Sequence, residues 1–161
     1  VQNADEAKAF SAACRFPPVG TRSLNYGGPQ LEYENMPASE VMEGINAETL
    51  IVMMIETPEA VDNAADIAAV SGVDVLLVGG SDLSATMGIP GQFNNPDFID
   101  AVGKVVDAAV AASKWPGLGG IYDESILPGF VKRGMRFFLG GSDISFILDG
   151  GRSRGAFFNN L

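Results

Sequence analysis

Two acidic residues follow long apolar runs, at positions where catalytic side chains are often found. Glu56 comes directly after the run 50–55, and Asp82 follows the run 73–78 and two glycines. If the runs are neighbouring parallel strands, about 4.8 Å apart, the two carboxylates can converge. Paired carboxylates are hard oxygen ligands that suit Mg²⁺ or Mn²⁺. From the spacing alone, a general acid and base pair or an ordinary acidic surface stays open.

The composition excludes several other kinds of chemistry. The 161 residues include no histidine and one cysteine, Cys14, which excludes a histidine-based triad, a His/Cys zinc site and an internal disulfide. Ten basic against twenty acidic residues give a net charge of −10. We therefore expect no nucleic-acid partner, because phosphate binding needs clustered Lys and Arg. No apolar run reaches the length of a membrane span and no signal pattern is present, so we expect a cytoplasmic protein without a membrane partner.

The apolar pattern predicts an α/β fold in which strands alternate with helices. The continuous apolar run 50–55 is typical of a strand covered on both faces of a parallel sheet, and 73–78 repeats this pattern with one aspartate. Between them, Thr57 and Pro58 begin a predicted helix that ends at Gly72. Further helices are predicted to begin near residues 3, 38, 95, 123 and 142, with a weaker, glycine-rich strand over 117–121 and a further strand over 136–140. This alternation favours a doubly wound sheet or a (β/α) barrel.

The number of strands indicates how large a barrel the chain can form. A closed eight-stranded barrel needs about 200 to 250 residues, whereas this chain has 161 residues and four predicted strands. We therefore expect residues 1–161 to form one domain, the C-terminal half of a (β/α)₈ TIM barrel whose other half comes from a longer polypeptide or another chain. An open half barrel exposes strand edges, so the chain alone should dimerise, aggregate or need that other half.

Two further aspartates stand after predicted strands. In parallel architectures the functional face lies at the carboxyl ends of the strands, so Asp123 and Asp143 are candidates by position. Both also stand where a helix is predicted to begin, and aspartate is a preferred N-cap residue. We therefore interpret Asp123 and Asp143 as helix caps.

The residues around Glu56 and Asp82 resemble those of a known family. The segments 55–63 (IETPEAVDN) and 72–84 (GVDVLLVGGSDLS) are similar to the HpcH/HpaI aldolase family, whose relatives include citrate lyase β-subunits and macrophomate synthase. The segment 15–22 (RFPPVGTR) resembles the region just after that family's fourth barrel strand. The resemblance covers most of the chain.

The resemblance implies an activity, a cofactor and a site. It implies a lyase that cleaves or forms C–C bonds of 4-hydroxy-2-oxo acids. Glu56 and Asp82 would be the ligands of a divalent cation, Mg²⁺ or Mn²⁺ with Co²⁺ as a further candidate. The cation would stabilise the enolate of a pyruvate-type 2-oxo acid, the second reaction partner being an aldehyde. Backbone N–H groups of Gly80, Ser81 and Asp82 would bind the substrate carboxylate, and we expect a homo-oligomer.

Alternatives stay open for the activity. One is an oxaloacetate decarboxylase or C–C bond-forming enzyme of the macrophomate synthase type, and another is a catalytically incomplete assembly or binding module. The family's catalytic arginine and base histidine belong to its first four strands, to which none of these residues corresponds. Met54 stands where the family commonly has glutamine and Gly80 where it commonly has proline or alanine. These departures leave the exact substrate open.

Overall fold

The fold is a parallel β-sheet whose strands are connected by helices. The structure is a computed structural model and describes residues 1–25 and 28–161. The strands are β1 (Val52–Ile55), β2 (Val75–Gly79), β3 (Trp115–Gly119) and β4 (Phe137–Phe138), in that order across the sheet. Each strand runs parallel to its neighbour. The predicted parallel α/β fold is confirmed, and its four strands are as many as half of an eight-stranded barrel contains.

Helices lie before, between and after the strands. In the described part of the chain they are α1 (Ala4–Cys14), a 3₁₀ helix (Pro29–Leu31), α2 (Ala38–Glu48), α3 (Pro58–Asp62), α4 (Ala64–Ala68), α5 (Gly80–Thr86), α6 (Pro96–Ala111), α7 (Leu127–Arg133) and α8 (Asp143–Asn159). The side chains of Asn3, Thr57 and Asn95 each accept a hydrogen bond from a first-turn N–H, which explains where α1, α3 and α6 begin. Over residues 1–25 and 28–161, no helix has both the length and the hydropathy that crossing a bilayer requires.

The connection between β1 and β2 differs from the prediction of one helix. α3 ends at Asp62 and α4 begins at Ala64, while Asn63 between them has φ −91° and ψ 5°. The Nδ2 group of Asn63 donates a hydrogen bond to the carbonyl oxygen of Gln2 at 2.9 Å. The prediction of a continuous helix is wrong because the backbone of Asn63 departs from helical dihedral angles, although its N–H and carbonyl group still bond to Glu59 and Ile67.

The hydrophobic core lies on one face of the sheet. Alternate strand residues are buried there together with residues of α3, α4 and α6, among them Met53, Ile55, Leu76, Val78 and Leu118. On the opposite face the strand register places Met54, Leu77, Gly117 and Phe137 side by side. Because strand side chains alternate between faces, Glu56, two residues after Met54, lies on this second face.

Arg15 connects the segments that precede β1 and β2. Its guanidinium donates hydrogen bonds to three backbone carbonyl oxygens, among them that of Gly72 at 3.3 Å. It also pairs with the Asp74 carboxylate at 3.6 Å, and only 12% of the Arg15 side chain is exposed. The same carboxylate accepts a hydrogen bond from the backbone N–H of Ile51 at 2.8 Å. Arg15 and Asp74 therefore hold the two strand starts in register.

We predict that Arg15→Met lowers the free energy of unfolding by about 2 to 3 kcal/mol, because it leaves carbonyl groups and the Asp74 carboxylate without their charged partner. Urea unfolding followed by circular dichroism measures the change. Lys8→Met is the control, since Lys8 pairs with Asp5 on the exposed surface of α1, and such pairs contribute less than about 1 kcal/mol. Equal losses in both variants would contradict a structural role for Arg15.

Candidate functional site

Glu56 and Asp82 come from consecutive strands of the sheet. Glu56 is the first residue after β1, and Asp82 is the third residue of α5, which begins directly after β2. The two strands pair in parallel with Ile55 opposite Val78, so both end at the same edge. The structure therefore brings the two predicted ligands to the same cavity.

The two carboxylates border a cavity of about 200 Å³ at this edge. The segment 79–82 and the glycines 119 and 120 form much of its rim. Its apolar lining consists of Met54, Leu77 and Leu139. Glu56 is half-buried and Asp82 is exposed, so one carboxylate is partly shielded while the other stays in contact with water. A small cavity with convergent charges and an apolar wall is typical of a ligand site.

Gly79 makes room for the side chain of Glu56. A Cβ atom at residue 79 would lie 2.7 Å from both Cγ and Oε1 of Glu56. Gly79 has φ −84° and ψ 90°, so glycine is needed here for space and not for an unusual backbone conformation. This role was missed in the sequence analysis. The available signal was that Gly79 directly follows the run 73–78, just as Glu56 directly follows the run 50–55.

The first turn of α5 is fastened to the end of β3. Ser81 Oγ donates a hydrogen bond to the carbonyl oxygen of Gly120 at 3.2 Å, and Gly120 has φ +78°, a conformation that favours glycine. Gly80 is buried, and a Cβ there would lie 2.6 Å from Ile121. The predicted substrate-binding residues Gly80, Ser81 and Asp82 thus all border the cavity. What they can offer a ligand is first-turn backbone N–H groups, which have no acceptor within the helix.

Burial and the neighbouring charge of Asp82 raise the pKa of Glu56. Its pKa lies above the ordinary value of 4.5, first because burial disfavours the charged form and then because the Asp82 carboxylate repels it. At neutral pH the pair therefore concentrates negative charge that a cation can neutralise.

The ligand atoms of this pair suit a hard divalent cation. Mg²⁺ and Mn²⁺ prefer carboxylate oxygens and keep several positions for water or substrate oxygens. Apart from Tyr26 and Gly27, which lie outside the described residues, no group of three or more His, Cys, Asp or Glu residues is placed to hold a metal. A two-carboxylate site fits an ion of the Mg²⁺ type and does not fit a closed zinc site.

The interpretation of Asp123 and Asp143 as helix caps is wrong. Asp123 Oδ1 accepts hydrogen bonds from the backbone N–H and the Oγ of Ser125, at 2.8 and 2.7 Å. These bonds lower the pKa of Asp123 and stabilise a turn, whereas α7 begins only at Leu127. The cap of α8 is Ser142, and Asp143 is the first residue inside that helix. Neither aspartate borders the cavity beside Glu56.

A larger cavity, of about 590 Å³, lies at the other end of the sheet, between α1 and α4. Its charged residues include Arg15, whose guanidinium already binds Asp74 and backbone carbonyl oxygens. Function in parallel sheets is located at the carboxyl ends of the strands. Size alone therefore does not make this cavity the candidate site.

In the metal-free protein, Glu56→Gln should increase stability at neutral pH. Because the folded-state pKa of Glu56 is raised, the stability that this group contributes is complete below its ordinary value of 4.5 and is lost as the pH rises through the raised value. Glutamine carries no charge at any pH. The gain at pH 7 should be about 0.5 kcal/mol, the scale of a solvent-screened charge pair, and should vanish below about pH 4.

Urea unfolding in EDTA across this pH range measures the difference between the variant and the wild type. Glu43→Gln is the matched control, because Glu43 is exposed in the middle of α2. A Glu56→Gln variant no more stable at pH 7 than wild type would show that neither burial nor Asp82 disfavours the charged form of Glu56.

Curated relatives of the chain are named as aldolases. The chain is 40% identical over 124 residues to a 4-hydroxy-4-methyl-2-oxoglutarate aldolase of Chaetomium globosum, covering 76% of this chain and 46% of that protein. It is 36% identical over 143 residues to a 4-hydroxy-2-oxovalerate aldolase of Novosphingobium aromaticivorans, covering 89% and 53%. The chain thus spans about half the length of these relatives.

The solved structures agree with the sequence comparison. The crystal structure of the HpcH/HpaI aldolase from Desulfitobacterium hafniense matches with a TM-score of 0.86 and 27% identity, over 100% of this chain and 62% of that one. A sequence model of the HpcH/HpaI aldolase/citrate lyase family matches residues 1–149. Because this match takes in nearly the whole chain and confirms the resemblance around Glu56 and Asp82, the chain belongs to the HpcH/HpaI aldolase/citrate lyase family.

Proposed function

We propose that this chain carries the cation-binding part of a lyase that cleaves or forms C–C bonds of 4-hydroxy-2-oxo acids. The observation that carries the proposal is that the Glu56 and Asp82 carboxylates border one cavity at the carboxyl edge of adjacent parallel strands. The names of the two curated relatives, both aldolases of 4-hydroxy-2-oxo acids, support the substrate class. The proposed cofactor is Mg²⁺ or Mn²⁺, and the proposed reaction partners are a pyruvate-type 2-oxo acid and an aldehyde.

The residues at the polar rim of the cavity have separate roles in the proposed reaction. When bound, the cation supplies Lewis-acid chemistry toward the keto and carboxylate oxygens of a 2-oxo acid. Glu56 and Asp82 hold the cation with negatively charged oxygens, and Gly79 leaves the space in which the Glu56 side chain lies. The N–H groups of Gly80, Ser81 and Asp82 bind the substrate carboxylate, which suits the first turn of a helix.

The residues that line the cavity bear on the type of aldolase. Its apolar wall consists of Met54, Leu77 and Leu139. Of the described residues that border the cavity, none is a lysine, whereas an aldolase that works through a Schiff base needs a lysine at the site. The residues present therefore favour the cation-dependent route.

Proton transfer is assigned to residues outside this chain. In the family pattern, the catalytic arginine and histidine belong to the first four strands, and the chain contains no histidine. The proposal therefore applies to a complete protein in which these strands accompany residues 1–161. Assembly as a homo-oligomer and a cytoplasmic location stay predictions.

Separate Glu56→Gln and Asp82→Asn substitutions in the full-length protein should each weaken Mn²⁺ binding and turnover by about 100-fold or more, since each removes one of two charged ligands. Calorimetric titration measures binding, and pyruvate release from a 4-hydroxy-2-oxo acid measures turnover. Glu43→Gln, on the exposed surface of α2, should change neither quantity. Retention of both by either site variant would defeat the proposal, and release of pyruvate from oxaloacetate alone would favour the decarboxylase.

Gly79→Ala should weaken Mn²⁺ binding about tenfold, the usual effect of disturbing the surroundings of a metal ligand. The added methyl group occupies the space of the Glu56 side chain, while its backbone conformation is allowed for alanine. Gly44→Ala is the matched control, because nothing lies within 4 Å of a Cβ there. Unchanged Mn²⁺ affinity in a folded Gly79→Ala variant would show that Glu56 binds the ion from another position.

A further inference from the structure

We infer that Thr86 is a positioning residue that sets the spacing between the two carboxylates. Thr86 is the last residue of α5, the helix that carries Asp82, and its Oγ1 donates a hydrogen bond to the backbone carbonyl oxygen of Glu56 at 2.8 Å. One side chain thus connects the helix that bears one carboxylate to the residue that bears the other. The inference rests on the proposed function, because it concerns the affinity of this pair for a divalent cation.

The position of this bond explains why it matters for the pair. The start of α5 is held by its covalent link to β2 and by the Ser81–Gly120 hydrogen bond. Its seven residues extend about 10 Å from that point, and the helix packs against β2 and β3. The Thr86–Glu56 bond adds a connection from the far end of α5 to the end of β1. Rotation of α5 about its start would change the direction in which the Asp82 side chain leaves the helix, and the bond at the far end opposes that rotation.

The hydroxyl group of Thr86 also has an acceptor within its own helix. The carbonyl oxygen of Leu83 lies 3.0 Å from Oγ1, and such a local bond is common for threonine in helices. The hydroxyl has one proton, so the shorter bond to Glu56 competes with the bond to Leu83. The branched side chain of threonine restricts χ1, which keeps the hydroxyl near both carbonyl groups. The bond to Glu56 is the one that ties α5 to a proposed cation ligand.

Loss of this hydroxyl should weaken cation binding without removing a ligand. Residues that orient metal ligands typically change metal affinity by about 10- to 100-fold. We expect Thr86→Val, which keeps the shape and the similar helix propensity, to weaken Mn²⁺ binding about tenfold. Thr86→Ser keeps the donor, so its affinity should stay within about twofold of wild type.

The experiment measures Mn²⁺ affinity in the full-length protein from the electron paramagnetic resonance signal of the free ion. Thr49→Val is the matched control, because Thr49 Oγ1 also donates to a backbone carbonyl, that of Ile45 at 2.6 Å, but at the opposite end of β1. It should leave Mn²⁺ affinity unchanged. Thermal unfolding in EDTA shows which variants fold, and Thr86→Ala serves as the second hydroxyl-free variant if valine disturbs folding.

The outcomes separate this inference from the proposed function. Wild-type affinity in Thr86→Val, or affinity in Thr86→Ser as weak as in Thr86→Val, would overturn the inference, while loss of binding in Glu56→Gln would still support the proposed function. If the wild-type protein binds no Mn²⁺, the proposed function fails. In that case, amide hydrogen exchange of α5 in the metal-free protein decides: exchange no faster in Thr86→Val than in Thr49→Val overturns the positioning role, and faster exchange supports it.

Discussion

The placement of two carboxylates on one cavity, one of them partly buried, is the constraint on which the site depends. Glu56 is partly buried beside Asp82, and both burial and the neighbouring charge raise its pKa. A fold under selection for stability alone gains nothing from this placement, because either residue in neutral form would remove the repulsion. A cation shared between the two groups would explain the arrangement, because each carboxylate would then attract the ion. A loss of stability at a functional position is common in proteins.

The rest of the fold keeps these two groups together. Parallel pairing of β1 and β2 ends both strands at one edge, and the Arg15–Asp74 pair holds their starts in register. The helices cover one face of the sheet, which leaves Glu56 on the other face with the cavity. Gly79 then provides the space without which the Glu56 side chain would have to move. Each of these features constrains the distance between the carboxylates, and each acts through a different part of the fold.

Much of this arrangement was predictable from the sequence, because it depends on patterns that are local in the chain. The buried strands followed from continuous apolar runs, and the meeting of Glu56 with Asp82 followed from parallel pairing of those strands. The features that were missed depend on contacts between residues far apart in sequence. Asn63, where the helix is interrupted, binds Gln2, and Thr86 binds the backbone of Glu56. The turn at Asp123 was missed for a local reason, since an aspartate before a helix has the same sequence signal whether it caps that helix or a preceding turn.

The central claim is that one divalent cation is shared by Glu56 and Asp82. Crystals of the full-length protein soaked in Mn²⁺ test this directly, because the anomalous scattering of manganese locates the ion independently of the surrounding atoms. The account predicts a single strong peak at the carboxyl edge of the sheet, within coordination distance of oxygen atoms from both side chains. A manganese peak within coordination distance of only one of the two side chains, or a peak elsewhere on the chain, would contradict this account.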